Sequence, residues 1–164
     1  MFKYFRILVM VTMVEYDETR RAFLMRHGDY ESLTGKLNEV GYEQVNIAGD
    51  KICQYLVDSG ETGLIKVFSS PSIRTQESAE LLVDRLIIED KLYVNPEPEI
   101  ISQLTENYDY GEVGWPGHKL LERNYEVGIL VSHQPVIFDM AGKFFRLGEI
   151  AKVNFDKSTL EMIR

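Results

Sequence analysis

The chain has 164 residues, 45% hydrophobic and 27% charged, which excludes a disordered chain and suits one globular domain with its own core. A formal net charge of −8 argues against the broad basic face of a nucleic-acid binder, while leaving room for a local cationic pocket. The single cysteine, Cys53, excludes an intramolecular disulfide and fits a reducing compartment.

Residues 1–20 carry Lys3 and Arg6, then an apolar run from Ile7 to Val14. The run is too short to span a bilayer, and Glu15, Tyr16 and Asp17 stand where a signal-peptide cleavage site would need small residues. It is read as an N-terminal extension or an extra strand, on a protein expected in the cytoplasm without stable membrane insertion. Ala22 to Met25 is short, apolar and ends at Arg26, the pattern of a buried strand feeding a loop. Asn38 predicts a helix N-cap; Val45, Ala48, Ile52, Tyr55 and Leu56 then recur at helical spacing until Gly60 stops the helix. Cys53 falls at the edge of that apolar face, as a packing residue. Leu64 to Phe68 predicts a second buried strand.

Ser70 and Pro71 have the form of an N-cap and a first helical residue, and Ala79, Leu82 and Leu86 supply the apolar stripe behind them. Leu92 to Val94 predicts a brief strand and "NPEPE" a loop. Gly128 to Ser132 predicts a fourth buried strand, leading into the helical pattern of "HQPVIFDMAGKFF". "EIAKVNFD" and "TLEMI" predict a terminal hairpin turning around Lys157 and Ser158. With no internal repeat or linker, residues 21–164 read as a single domain. Alternating strands and helices imply an α/β fold of three layers, α/β/α, around a mostly parallel sheet.

Ligands of such sheets bind beyond the carboxyl ends of the strands. Arg26 and His27 follow the first predicted strand, Ser70 to Arg74 the second, and His133 the fourth. Two of the three histidines and two arginines thus converge on one crevice. Unpaired buried cations are costly, so the economical occupant is a dianion.

Together "LMRHGDYES", "LTGKLNEVGYEQV", "FSSPSIRTQESAELL" and "LVSHQPVI" resemble the histidine phosphatase superfamily, the phosphoglycerate-mutase-like proteins. The resemblance runs from about Ala22 to Phe138, with the motifs in the family's order. It implies that His27 is a nucleophile that becomes a transient phosphohistidine. Arg26 and Arg74 would hold the phosphoryl oxygens, His133 would complete the pocket, and Gly28 would let the backbone approach the ligand. Arginine's planar fork suits phosphate, and together the cations could replace a metal, so no metal or other cofactor is expected. For attack, His27 needs one neutral ring nitrogen, with the other donating to a backbone carbonyl.

The family's Leu-x-Glu on the loop after the third strand supplies the proton for the leaving oxygen. Leu104-Thr105-Glu106 matches it and makes Glu106 the candidate, with Asp29, Asp109 and Glu112 as alternatives nearby. The short phosphohistidine phosphatases of the family lack this glutamate, because their leaving group is an imidazole. Two features depart from most relatives. Gln134 replaces the usual glycine after the second histidine, as in the short phosphohistidine phosphatases, and is a candidate phosphate contact. Ser132 lies only 28 residues after Leu104, too close for the large helical cap of phosphoglycerate mutases. An open, shallow site follows. "GWPGHKLLER" resembles the family's Pro-Gly-Gly-Glu-Ser element but has His118 for Glu; His118 is read as a surface residue at a helix start, and Trp115 and Tyr110 as residues of the mouth or the core.

The expected function is hydrolysis of a phosphomonoester, or of phosphohistidine or phosphoserine/threonine on a protein. The expected partner is therefore a phosphorylated small molecule or a phosphoprotein. A phosphoglycerate mutase-type phosphotransferase, or a phosphate-binding module without turnover, are the alternatives.

Overall fold

The computed structural model describes residues 21–104, 125–154 and 159–164. The N-terminal extension, the segment holding Glu106, Asp109, Tyr110, Glu112, Trp115 and His118, and the predicted hairpin turn lie outside the described residues.

Strands β1 (Arg21–Arg26), β2 (Leu64–Ser69) and β5 (Val127–Ser132) form the heart of the molecule, with α1 (Glu39–Asp58) following β1, α2 (Ile73–Ile87) following β2 and α3 (Gln134–Ala141) following β5. Between α2 and β5 lie two short strands, β3 (Tyr93–Val94) and β4 (Glu99–Ile100), and a single 3₁₀ turn (Ser102–Leu104). The chain ends in β6 (Ile150–Asn154) and β7 (Thr159–Met162). The sheet runs β3-β2-β5-β1-β6-β7, with β4 also paired to β2. β1, β5, β2, β3 and β4 are parallel, while β6 and β7 close one edge as an antiparallel hairpin. Residues 105–126 alone join the 3₁₀ turn to β5, too few for a large helical insertion.

Period-two alternation sorts each central strand between two apolar layers. Phe23 and Met25, Ile65 and Val67, and Ile129 and Val131 share a buried cluster with Val45, Ile52 and Leu56 of α1 and Leu82 and Leu86 of α2. Leu24, Phe68 and Leu130 belong to a second cluster with Val136 and Ile137 of α3, capped by Ile101, Leu104 and Phe145. The sheet is therefore covered by helix on both faces. Cys53 is buried in the first cluster. Among the described residues no helix is long and apolar enough to cross a membrane.

The capping chemistry of α1 is as the sequence predicts. The Asn38 side chain accepts the Gly41 amide at 2.8 Å, and Gly60 adopts φ +68° just beyond the Ser59 C-cap. The start of α2 differs. The helix begins at Ile73 with Ser72 at the cap position, two residues later than Ser70 predicts, because the Ser70 hydroxyl is turned inward to Thr75 and His133. β4 is a further strand inside and just beyond the predicted "NPEPE" loop, so His133 follows the fifth strand rather than the fourth. Its two residues extend the β2 edge through register pairing of Phe68 with Glu99 and Ser69 with Ile100, a tertiary pairing without alternation long enough to read.

Gly28 and Gly41 allow a close approach within the chain itself. A Cβ on Gly28 would stand 2.5 Å from the Gly41 carbonyl oxygen, and one on Gly41 would stand 1.9 Å from that of Asp29. Backbone meets backbone here, so the loop after β1 is pressed onto the first turn of α1. Gly→Ala inside a helix ordinarily stabilises by about 0.5–1 kcal/mol. Gly41→Ala is expected to do the opposite, lowering stability by roughly 1–3 kcal/mol as an overpacked contact. A urea titration of both proteins checks the sign.

Candidate active site

β1 and β5 are paired in register, Arg26 opposite Ser132, and the His27 amide donates to the Ser132 carbonyl at 3.1 Å. The two chains therefore leave the sheet at the same level, and the residue after each strand end is a histidine. The His27 and His133 rings stand edge to face with centroids 5.1 Å apart, and the residues are 3% and 2% exposed. Arg74, in the first turn of α2, reaches between them. Its Nε donates to His27 Nε2 at 3.3 Å, and its Nη2 lies 3.3 Å from His133 Nδ1.

His27 Nδ1 lies 2.8 Å from the carbonyl oxygen of Gly28. A carbonyl only accepts and a guanidinium only donates, so Nδ1 carries the proton and Nε2 keeps its lone pair toward Arg74. This is the carbonyl that a nucleophilic His27 requires. Burial, reinforced by the charges of His133, Arg74 and Arg26, pushes the His27 pKa down to about 4 against the opposing pull of the Gly28 carbonyl. His133 is likewise pushed down to about 4, by burial first and then by Arg74 and Arg26. Arginine cannot shed its proton, so the imidazoles stay neutral and the positive charge stays on the arginines.

Arg26 ends β1, and its Nη1 donates to the Phe145 carbonyl at 2.7 Å. The Gln134 side chain bonds to the same loop. Its Oε1 accepts from the Phe145 amide at 2.8 Å and its Nε2 donates to the Lys143 carbonyl at 3.2 Å, so both amide groups hold the same loop that binds Arg26. Gln134 reaches the site through that loop. Glu106 lies outside the described residues, but the Leu104 carbonyl two residues earlier accepts from Ser132 Oγ at 3.0 Å, beside His133.

Two further neighbours, Tyr30 and Ser78, hold Arg74 and the loop after β1. Tyr30 lies under the Arg74 guanidinium, 4.4 Å from carbon to ring centroid, and edge-on to His27 at 5.6 Å. Cation–π contact of this kind holds the guanidinium by its face. Ser78 Oγ accepts from the Gly28 amide at 3.1 Å and donates to the Arg74 carbonyl at 2.7 Å, tying the loop of the nucleophile to the helix of the arginine. The only hint of these roles in sequence is the density of hydroxyls around Arg74 in "SSPSIRTQES". Among the described residues no group of three or more His, Cys, Asp or Glu gathers as metal ligands would. The site sets neutral imidazoles beside two fixed cations, an arrangement suited to an oxoanion.

No family model and no curated protein matches the sequence. Solved structures do match. The chain is similar to the protein histidine phosphatase SixA complexed with tungstate, at 20% identity and a TM-score of 0.59 over 87% of this chain and 93% of that one. It is similar to a candidate phosphohistidine phosphatase SixA from Agrobacterium tumefaciens, at 14% identity and a TM-score of 0.58 over 90% and 97% of the two chains. A phosphoglycerate mutase from Plasmodium falciparum also matches, at 13% identity and a TM-score of 0.52 over 88% and 89%. The chain shares the fold of these phosphatase and mutase structures.

Depressed histidine pKa values couple folding to pH. Between about 6.5 and 4 the unfolded chain binds protons on His27 and His133 that the folded chain refuses. Stability from these groups is therefore complete above pH 6.5 and lost as the pH falls toward 4, by at most about 1.4 kcal/mol per pH unit for each proton. Imidazole NMR titration is expected to find both rings still neutral at pH 5.5, and His27→Gln is expected to shallow the loss of stability measured between pH 6.5 and 4.

Proposed function

We propose that the protein is a metal-independent phosphatase that works through a phosphohistidine on His27. The observation that carries this reading is the placement of His27 Nε2, unprotonated and directed at Arg74 while Nδ1 is tied to Gly28. Nε2 attacks phosphorus, the bond from phosphorus to the leaving group breaks, and the Nδ1–H bond to the Gly28 carbonyl stabilises the positive charge that the ring acquires. Arg74 exchanges its two histidine nitrogens for phosphoryl oxygens, and Arg26 takes the remaining charge at the end of β1. Transition-state charge spread over the equatorial oxygens is thus met by guanidinium groups fixed beforehand, which is the largest part of catalysis in phosphoryl transfer. Water then cleaves the N–P bond and frees phosphate.

Glu106 is the proposed proton donor to an alkoxide and the later base toward water. The bond between Ser132 and Leu104 supports this, since it fixes the chain two residues before Glu106 at the end of β5. Substrates are proposed to be phosphohistidine or phosphoserine/threonine of proteins, or small phosphomonoesters. The 22 residues from 105 to 126 favour an uncapped site over the enclosed one of a mutase. Likeness of fold to SixA agrees with a phosphohistidine, and the tungstate held by that protein is an oxoanion of the kind this pocket suits.

Hydrolysis of p-nitrophenyl phosphate in EDTA tests the central claim. Wild-type turnover should fall at least about a thousandfold in His27→Ala. Wild-type inactivity, or a mutant that keeps the rate, would refute it. Glu106→Gln separates the substrate classes. An alkyl phosphate should slow by about 10²–10⁴, while a phosphohistidine peptide, whose leaving imidazole needs less help, should slow far less. Equal losses on both substrates would remove Glu106 from the role of leaving-group acid.

A further inference from the structure

His133 is held on its far side by hydroxyls. Its Nε2 lies 2.8 Å from Ser70 Oγ, which lies 2.6 Å from Thr75 Oγ1. Thr75 Oγ1 in turn donates to carbonyl oxygens, those of Ser70 at 3.0 Å and Ser72 at 2.9 Å. Ser70 and Thr75 are fully buried. Each of these atoms has one proton to place, so the directions can be worked out from both ends.

At one end, Arg74 Nη2 can only donate, so the neutral His133 must present a lone pair at Nδ1 and carry its proton on Nε2. At the other end, the carbonyls can only accept, so Thr75 gives its proton to them and accepts from Ser70. Ser70, having donated to Thr75, accepts from His133 Nε2–H. The two deductions meet without conflict. The chain ends on backbone carbonyls, so it cannot pass a proton onward; it is an anchor and not a wire. The alternative tautomer would set the Nδ1–H of His133 against an arginine donor.

We infer that Ser70 and Thr75 are positioning residues that fix the tautomer and ring plane of His133, opposite in sense to the tautomer fixed on His27 by Gly28. His27 thus offers Nε2 and His133 offers Nδ1, and one guanidinium spans the two lone pairs. Ser72 Oγ lies 2.8 Å from Thr75 Oγ1 and 3.4 Å from His133 Nε2, a second and weaker support for the same ring. This explains why Ser70 gives up the cap position that its sequence context suggests. The consequence for rate rests on the phosphatase reading, whereas the tautomer does not.

The test uses the full chain at pH 7 with nitrogen-15-labelled histidine. Wild type should show His133 protonated on Nε2, with that proton protected from solvent exchange, and His27 protonated on Nδ1. Ser70→Ala and Thr75→Val should lose the protected Nε2–H signal and about tenfold in kcat/KM, as expected for one lost hydrogen bond to a ring that touches the phosphate, and Thr75→Ser should restore both. Far-ultraviolet circular dichroism and thermal melting identify variants that fold, and Ser70→Ala serves if Thr75→Val does not. A wild-type His133 protonated on Nδ1, or a folded Ser70→Ala that keeps the protected proton or the wild-type kcat/KM, would overturn the inference. If wild type lacks phosphatase activity altogether, the phosphatase reading fails while the spectra still decide the tautomer.

Discussion

Everything at the candidate site depends on the parallel register between β1 and β5. Arg26 pairs with Ser132, so the next residue of each strand, His27 or His133, emerges at one height from neighbouring positions. A slip of one residue would turn one histidine to the other face of the sheet. The register is held by burial, since Phe23, Leu24 and Met25 pair with Ile129, Leu130 and Val131, and all six are in the core. Chemistry at the rim is therefore fixed by hydrophobic packing one strand-length away. The antiparallel partner β6 adds to this, because the Arg26 amide donates to the Glu149 carbonyl and the Gly148 amide reaches the carbonyls of Arg26 and His27.

Much of this was legible because its causes are local or periodic. The buried strands are continuous apolar runs, α1 begins at a side chain able to cap it, and Gly60 stands where only a left-handed residue fits easily. The two histidines could be placed together because a strand end is a position in space as well as in sequence. What stayed hidden depends on partners far along the chain. Ser70 looks like a cap until His133, 63 residues later, is seen to need an acceptor. The contact of Gly28 with Gly41 is of the same kind. So are the bonds of the Gln134 amide to the loop at Phe145. Tyr30 stands in the first histidine motif, but its place under Arg74 is set by the fold, with Tyr30 bridged to Leu37.

The electrostatics of the site follow from which groups can yield. A protein of net charge −8 has gathered two arginines and two histidines in one small volume. Four positive charges there would repel strongly at the low dielectric of a buried site. Arginine holds its proton under any ordinary condition, so the histidines give way, and both are pushed to about 4. The repulsion that would have destabilised the fold thus leaves a neutral imidazole with a lone pair, as the proposed attack by His27 requires. Ser78, by linking the Gly28 amide to the Arg74 carbonyl, keeps Arg74 and His27 at a set distance.

The arrangement around Arg74 is also a competition. Arg74 spends donors on two imidazole lone pairs, each at 3.3 Å, longer than the usual N–H to oxygen bond of about 2.9–3.0 Å. Neutral nitrogens at that distance are poor partners for a guanidinium, and charged oxygens are roughly twice as strong. In the proposed reaction a phosphoryl oxygen would therefore replace each of these weak bonds with a stronger one. Tyr30 restrains the same guanidinium through its aromatic face, a contact that uses none of the N–H donors in the guanidinium plane.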